Sequence, residues 1–437
     1  MNLEPPSGLR DFRPEEKILR QKIFERIEKI FRRFGYDPIE TPTIEYWEIL
    51  KGKYGEEAEN KLIWRFKLPY SDKEYALRYD QTVPLARFYS RFQFPLPFKR
   101  YVIEKSYRYD NPQKGRYREF YQADFDIIGS KEPEADAEII NVVYYIFKEF
   151  NFSNFKILIN DREFLRFIFE KSLNITIEKI NKVYNIIDKL DKIGLEGVKK
   201  ELDVLVGEKL SNKIIEIISM KNDEILDYLS KFNEINKELE YFNNILSLLE
   251  NRKFVEINLS LVRGLDYYTG MIFEAIVDEP KIGSLAGGGR YDNLIKLFAN
   301  RDIPAVGGSI GVERLIDAGL ELGIFKLDKK TYTELCVIYF EDTFNDAWNI
   351  CNRLRDLGIN CYIDLMKRDF EKQIKYAVDK DIRFLLIVGK KELSRNKVLL
   401  QDRYKKEKIE IDKDNLGEVV KIISERQNVS TDKQYII

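Results

Sequence analysis

The sequence predicts an α+β protein, and three stretches predict it. Residues 104–129, EKSYRYDNPQKGRYREFYQADFDIIG, read as two strands joined by a polar loop whose Pro112 and Gly115 suit a chain reversal. Residues 161–251 read as helix throughout, rich in Ile, Leu, Lys, Asn and Glu with almost no turn signal. Residues 334–437 alternate strand and helix, the pattern of a compact α/β domain. At 437 residues the chain has room for two or three domains and a large core.

The strand pair has an unusual polar face. Successive strand residues point to opposite sides, so Glu104, Ser106, Arg108 and Asp110 share a face on the first strand. Arg116, Arg118, Phe120, Gln122, Asp124 and Asp126 share one on the second. An ordinary half-buried hairpin turns such a row to solvent. Here Phe120 interrupts the row with a flat aromatic suited to stacking on a base, and the charge is graded from arginine to carboxylate. That gradient suits a ligand with phosphate at one end and an amine at the other.

Composition excludes several classes. Apolar content is 44%, and no apolar run reaches membrane length. MNLEPPSGLRDF lacks the charged and apolar regions of a signal peptide, so a cytoplasmic location is expected. Cys336, Cys351 and Cys361 lie late in the chain without a CxxC spacing; core packing suits them better than a disulfide framework or a zinc site. The chain contains no histidine. That removes imidazole as general base, as partner of a nucleophilic serine and as metal ligand. The net charge of −1 gives no global bias toward nucleic acid. Locally, residues 87–118 carry nine Lys/Arg against two acids, and residues 390–408 eight against three, the footprint of polyanion contact or of a solvated face.

In chain order, Pro14 opens a helix where its missing N–H costs little; Ile23, Ile27, Ile30, Phe31 and Phe34 recur at helical spacing, and Gly35 ends it. YDPIETPTIEYWEIL is extended and broken by Pro38 and Pro42. Two strands around a turn at Ser71 and Asp72 then lead to a helix from about Thr82. Asp80 and Thr82 flank that helix start as caps, or else as ligands of an ammonium group. NLSLVRGLDYYTGMIFEAIV (258–277) reads as a strand ending, a bend permitted by Gly264, then Asp-Tyr-Tyr and a second strand. LAGGGRYDNLI (285–295) reads as a triple-glycine turn opening a helix. It is not a phosphate loop, since GxxxxGK[ST] occurs nowhere. Close backbone approach to a ligand or to another strand explains it equally well. In AVGGSIGVERLIDAGL a glycine-rich strand turns into a helix that carries Arg314 in its first turn. A cation there opposes the helix macrodipole and requires an anion, such as a triphosphate.

These segments resemble one family. PQKGRYREFYQ resembles motif 2 of class II aminoacyl-tRNA synthetases in the version found in histidyl-tRNA synthetases. YDPIETPTIEYWEIL is similar to motif 1, AVGGSIGVERLIDAGL to motif 3, and LVRGLDYYTG to the histidine-specific motif of that family and its near paralogues. RYDQTVP departs from the usual pattern at Gln81, where leucine is common, and keeps Asp80 and Thr82. The resemblance implies a class II antiparallel-sheet catalytic domain in two parts, residues 1–160 and 254–328. Between them, 161–253 would be a helical insertion reaching toward the tRNA acceptor end. Residues 333–426 would form a small α/β anticodon-binding domain, followed by a tail, 427–437. Motif 1 implies a homodimer, and nothing implies a membrane.

The activity implied has two steps: histidine and ATP, with Mg2+, give histidyl-adenylate and pyrophosphate, and histidine then passes to the 3′ end of tRNA(His). By the resemblance, Arg108 holds the substrate carboxylate and α-phosphate, Arg116 and Arg314 the outer phosphates, and Phe120 stacks on adenine. Arg263 stands at the α-phosphate, making Arg108, Arg263 and Arg314 the catalytic set. Asp80, Thr82 and Gln122 would take the α-ammonium, and Asp126 and Tyr268 the imidazole; Arg263 and Tyr267 complete the histidine site. Gln113 would reach the tRNA acceptor end, and no metal ligands are assigned. A second reading is the paralogue that serves as non-catalytic, histidine-binding regulatory subunit of ATP phosphoribosyltransferase. That paralogue typically lacks the C-terminal domain and degrades the ATP arginines, whereas Arg108, Arg116, Arg263, Arg314 and the domain are all kept here.

Overall fold

The structure, a computed structural model, describes residues 1, 3–55, 58–262, 267–299 and 301–431. It has two compact units: Met1–Asp11 with Phe24–Ile324, and Phe12–Ile23 with Phe325–Ile437. Strands of the first unit are β1 (Asp37–Pro38), β2 (Ile44–Tyr46), β3 (Arg65–Lys67), β4 (Glu74–Leu77), β5 (Phe98–Tyr107), β6 (Glu119–Ile128), β7 (Phe155–Asp161), β8 (Val255–Ile257), β9 (Met271–Val277), β10 (Ala286–Arg290) and β11 (Ala305–Gly311). Eight of them form one sheet in the order β1-β5-β6-β11-β10-β9-β7-β8, and β2-β4-β3 form a small separate sheet. Within the large sheet the run from β5 to β7 is antiparallel throughout. The edge strands β1 and β8 pair parallel, so the expected antiparallel sheet is mixed at its margins.

The hairpin read from sequence forms the second and third strands of that sheet, beside the central β11 and β10. β5 and β6 pair over ten residues, with Arg100 opposite Asp126, Val102 opposite Asp124 and Glu104 opposite Gln122. Gly115 makes the reversal at φ +71°. Alternation turns Phe125 to the other face, where its ring lies 5.1 Å from Phe31 of the helix Pro14–Arg33. Arg290 is on that same face and pairs with Asp136 of the helix Pro133–Glu149, whose Ile139, Val143, Ile146 and Phe147 are buried. Helices therefore cover one face, and the face bearing Gln122, Asp124 and Asp126 is left for the site.

Glycines 287–289 lie inside β10, not in a turn that opens a helix. A Cβ on Gly288 would fall 2.1 Å from the Gly307 carbonyl oxygen, and one on Gly289 2.5 Å from that of Met271. Of the two explanations the sequence left open, close approach of another strand is the one realised at these two positions. Residues 162–251 are helical as read, with helices Leu190–Val206, Glu208–Ser219 and Asn236–Ser247 among them.

The second unit contains β12 (Leu335–Tyr339), β13 (Cys361–Ile363), β14 (Phe384–Val388), β15 (Lys397–Asp402) and β16 (Glu407–Asp412) in the order β13-β12-β14-β15-β16. The first three are parallel, and the last two join antiparallel. Helices Phe344–Asp356 and Phe370–Asp379 pack on opposite faces, with Cys351 in one apolar cluster and Cys336 in the other. Much of the basic 390–408 stretch is paired locally: Arg395 with Glu410 at 2.7 Å, Lys390 with Asp342 at 2.5 Å and Lys397 with Asp412 at 3.6 Å. Among the described residues no helix is long and apolar enough to cross a membrane.

Gly288→Ala is expected to destabilise the first unit by about 3 kcal/mol, the upper end of overpacking, because the obstructing atom is backbone and cannot swing away. Thermal unfolding checks this; an unchanged midpoint would show that the strands can separate.

Candidate active site

Pairing across the sheet aligns side chains into rows. One row runs Val102, Asp124, Ser309, Gly287, Glu274 and the next Arg100, Asp126, Gly307, Gly289, Ile272. Since β10 and β11 offer mostly hydrogen atoms and one hydroxyl on this face, a hollow remains above them. It forms a cavity of about 280 Å³, walled by Asp80, Thr82, Arg108, Arg116, Phe120, Gln122, Asp124, Tyr267, Tyr268, Glu274 and Arg314 among others.

Cations occupy one end. Arg108 Nε donates to the Tyr79 carbonyl at 3.2 Å, and its guanidinium lies 4.3 Å from the Tyr79 ring and 5.3 Å from the Phe120 ring. Arg314 is the third residue of the helix Val312–Glu321; its Nε donates to the Gly115 carbonyl at 2.9 Å and its Nη1 to that of Ser284 at 2.8 Å. The hairpin turn and the entry to β10 thus aim it into the cavity. Arg116 pairs with Asp110 and stays half-exposed at the rim. Three guanidiniums converging beside an aromatic face make a site for phosphate next to a base.

Acids and amides occupy the other end. Asp80 Oδ1 accepts from the Tyr54 hydroxyl at 2.8 Å and the Val83 N–H at 3.2 Å, and Oδ2 from the Tyr267 hydroxyl at 3.2 Å. It accepts from a first-turn N–H of the helix Thr82–Arg91, whose N-cap is Gln81, and also lines the cavity, so a structural and a binding role are compatible. Burial raises its pKa against these hydrogen bonds. Gln81 turns inward, its Nε2 donating to the Lys105 carbonyl and the Ser106 hydroxyl at 3.1 Å each. The departure from the usual motif thereby ties the helix start to β5. Gln122 Nε2 donates to Ser309 Oγ at 2.9 Å, while Gln122 Oε1 and Asp124 Oδ1 are buried without a hydrogen-bond partner. Buried acceptors left open on a cavity wall mark where a ligand's N–H groups bind. Burial pushes Asp124 up to about 7; Arg100 opposes that rise and Asp126 adds to it.

Two of the expected site residues are absent from the cavity wall. Asp126 does not line the cavity. It lies one row further along the strands on the same face, where Arg100 Nη2 stands 2.7 Å from its Oδ2 and the Tyr291 hydroxyl bonds its Oδ1. The strand alternation that gave Asp124 and Asp126 a common face could not say which one the hollow reaches. Gln113 is also off the wall: it is exposed in the hairpin turn, its backbone paired with Arg116. Arg263 and the bend at Gly264 lie outside the described residues. Asp124, Arg100 and Tyr291 went unassigned in the sequence; the acid pair in QADFD was the available signal for Asp124.

Fold and cavity define a class II aminoacyl-tRNA synthetase. Residues 8–315 match the family model for histidyl-tRNA synthetase, and residues 334–423 that for an anticodon binding domain. The histidine–tRNA ligase of Nanoarchaeum equitans is 50% identical over 419 residues, 96% of this chain and 99% of the relative. That of Aeropyrum pernix is 47% identical over 428 residues, 96% of this chain and 97% of the relative. The crystal structure of histidyl-tRNA synthetase from Nostoc sp. PCC 7120 superposes with a TM-score of 0.83 at 30% identity, covering 98% of this chain and 100% of that one. The chain belongs to the histidyl-tRNA synthetase family.

Asp124→Asn is expected to trade stability against binding. The native carboxyl holds its proton up to about pH 7, whereas an unfolded aspartate ionises near 4. Wild-type stability therefore falls as pH rises from about 4 to about 7, and the asparagine variant escapes that loss, worth up to about 4 kcal/mol at pH 8 and nothing at pH 4. Its KM for the amino acid should rise together with the gain in Tm. A gain that does not depend on pH would refute the assignment.

Proposed function

We infer that the chain activates histidine with ATP to histidyl-adenylate, releasing pyrophosphate, and then transfers the histidyl group to the 3′ end of tRNA(His). One observation carries this: a single cavity with guanidiniums and an aromatic face at one end and open, buried acceptors at the other. The relatives named histidine–tRNA ligase, at 46–50% identity over nearly the whole chain, and the anticodon-binding segment weigh against a regulatory subunit.

The first step needs no protein nucleophile, which suits a chain without histidine. A carboxylate oxygen of the amino acid attacks the α-phosphorus, a new P–O bond forms, and the bond to the β-phosphate oxygen breaks as pyrophosphate leaves. The protein positions the reactants and stabilises the charge that builds on the phosphorane oxygens. Arg108 spans substrate carboxylate and α-phosphate, Arg116 and Arg314 take the outer phosphates, and adenine lies on Phe120. Arg263 serves the α-phosphate. Asp80, Thr82 and Gln122 bind the α-ammonium. Asp126 and Tyr268 bind the imidazole, with Asp124 beside them on the cavity wall, and Tyr267 supports Asp80. Partners for both ring nitrogens reject apolar isosteres, which would leave these groups unpaired. Mg2+ is ordinarily held by one or two carboxylates and substrate phosphates. Glu274, which accepts from the Ser284 hydroxyl at 2.8 Å on the cavity wall, fits that role, and the ion would offset phosphate charge.

The same reading makes the molecule a cytoplasmic homodimer joined through the motif 1 segment, residues 36–50. Segment 161–253 serves the tRNA acceptor end together with Gln113, and 333–426 serves the anticodon.

Amino-acid-dependent ATP–pyrophosphate exchange tests the reading. Among the twenty amino acids histidine should support exchange, and tRNA charging should follow; exchange with a different amino acid refutes it. Arg263→Ala is expected to lower kcat for exchange about 100-fold or more while leaving histidine binding nearly intact, because its partner charge grows in the transition state. Poor histidine binding with normal turnover would remove Arg263 from that role.

A further inference from the structure

Residues 7–10 precede the first helix, and their backbone is seated on the hairpin turn. The Gly8 carbonyl accepts from the Arg118 N–H at 2.9 Å, and the Ser7 carbonyl from Arg118 Nη1 at 3.1 Å. Gly8 holds φ at +83°, and a Cβ there would fall 2.7 Å from Arg118 Cγ. Arg10 then reaches across to the helix Val312–Glu321. Its guanidinium carbon lies 3.3 Å from the centre of the Tyr117 ring, and its Nη2 pairs with Glu313 Oε2. Glu313 is 4% exposed, lines the cavity and immediately precedes Arg314. Its Oε1 accepts the Tyr121 N–H at 3.2 Å, one residue beyond Phe120. The Tyr117 hydroxyl donates to Asp317 Oδ2 at 2.8 Å, one turn along the same helix. Arg10 therefore touches the turn through Tyr117 and the helix through Glu313, and through Glu313 it reaches the strand backbone beside Phe120.

We propose that Arg10 is a positioning residue for the nucleotide. It neutralises Glu313 on the cavity wall and clamps the hairpin turn against the start of the helix, so that Phe120, Arg116 and Arg314 keep one relative placement. The proposal rests on reading the arginine end of the cavity as the ATP site. Arg10 does not line the cavity and acts through Glu313 and Tyr117.

The charges require such a partner. Glu313 sets a carboxylate on the wall beside Arg314, where a polyanion is to bind, and like charges repel strongly where water is scarce. Asp317 adds a second carboxylate. Burial raises its pKa; Tyr117 and Arg10 oppose that rise, and Glu313 adds to it. The Arg10 side chain is 27% exposed and that of Glu313 is 5%. A pair exposed on both sides would contribute little. Removing the cation from a buried carboxylate instead strands its charge. Without Arg10 that charge bears on Arg314 and on the incoming phosphates, and the turn loses its stacked contact with the helix.

The test uses full-length Arg10→Met, Arg10→Lys and the double variant Arg10→Met with Glu313→Gln in ATP–pyrophosphate exchange, with ATP and histidine varied separately. Arg10→Met should raise the KM for ATP about tenfold, with the KM for histidine within about twofold of wild type. Adding Glu313→Gln removes the stranded charge and keeps an acceptor for the Tyr121 N–H, so the ATP KM should return to within about threefold of wild type. Arg10→Lys keeps the charge and loses the plane that stacks on Tyr117, so its ATP KM should lie between those of wild type and Arg10→Met. Equal rises in both KM values would overturn the proposal and leave Arg10 a packing residue. An ATP KM in the double variant no lower than in Arg10→Met would overturn it as well. If Arg10→Met fails to fold, a wild-type ATP KM in Arg10→Lys overturns it instead. Should wild type exchange with another amino acid, the histidine reading fails, and the ATP KM measured with that amino acid still decides on Arg10.

Discussion

The site depends on two strands that carry almost no side chains on the face turned to it. β10 and β11 sit in the middle of the large sheet, where Gly288 and Gly289 meet Gly308 and Gly307 and Gly287 faces Ser309. A Cβ on Gly307 would lie 1.9 Å from Asp126 Oδ1, so the carboxylate occupies the space a side chain would need. A Cβ on Gly288 would strike the Gly307 carbonyl. Glycine within a strand costs conformational entropy and contributes no packing. Here that cost is offset by long neighbours on either side, β6 and β9, whose alternate residues fill the helix-covered face. The result is a rigid floor with a hollow above it, which neither a normal sheet nor a loop would provide.

Dryness follows from the same geometry and sets the electrostatics. The acids at one end lose water without gaining enough hydrogen bonds to compensate, so burial is the leading cause of the raised pKa of Asp80, Asp124 and Asp126 alike. Arginines are used in two different ways. Arg100 is spent inside the protein, against Asp126 and the Gln81 carbonyl. Arg108 rests on the Tyr79 carbonyl and on two rings, contacts that orient its plane while leaving its charge directed at the cavity. Carbonyls from Gly115 and Ser284 aim Arg314 in the same manner. A cation held by neutral dipoles and π-faces keeps its full charge for an incoming phosphate.

The sequence made the elements legible wherever local pattern decides them. The hairpin, the helix start at Thr82, the glycine strand turning into the Arg314 helix, the helical 161–251 and the alternating C-terminal unit all have a period or a turn residue that only one structure satisfies. What it hid depends on which strand lies next to which. The run of three glycines looked like a turn because glycine most often supplies positive φ, and nothing local announces that β11 will press against it. The parallel edges β1 and β8 are too short to carry a pattern. Arg100 sat in a run of basic residues that counted as polyanion footprint, yet its partner is twenty-six positions away and appears only once β5 and β6 are paired. Asp124 and Asp126 were indistinguishable by alternation for the same reason, since which row a cavity borders is a property of the folded sheet.

A chain with no imidazole leaves the neutral pH range to other groups. Burial brings two acids there, Asp124 and Asp161, each pushed up to about 7. They are not equivalent. Asp161 ends β7, caps the helix Arg162–Arg166 through the Glu163 N–H at 2.8 Å and is absent from the cavity wall, so its proton bears on folding. Asp124 has an open oxygen on the wall, so its proton faces the cavity. A histidine ring, whose ordinary pKa is near 6.5, titrates in the same range. A neutral acid facing neutral imidazole and a carboxylate facing imidazolium contain the same protons and the same net charge. Exchange between the two forms within one hydrogen bond therefore releases nothing to solvent. A buried carboxylate with an ordinary pKa would commit the ring to its charged form, and an amide would forgo the charge-assisted bond altogether. Desolvation that makes Asp124 costly to the fold thus also brings its proton into the range where an imidazole titrates, and the Arg100 guanidinium opposes that rise.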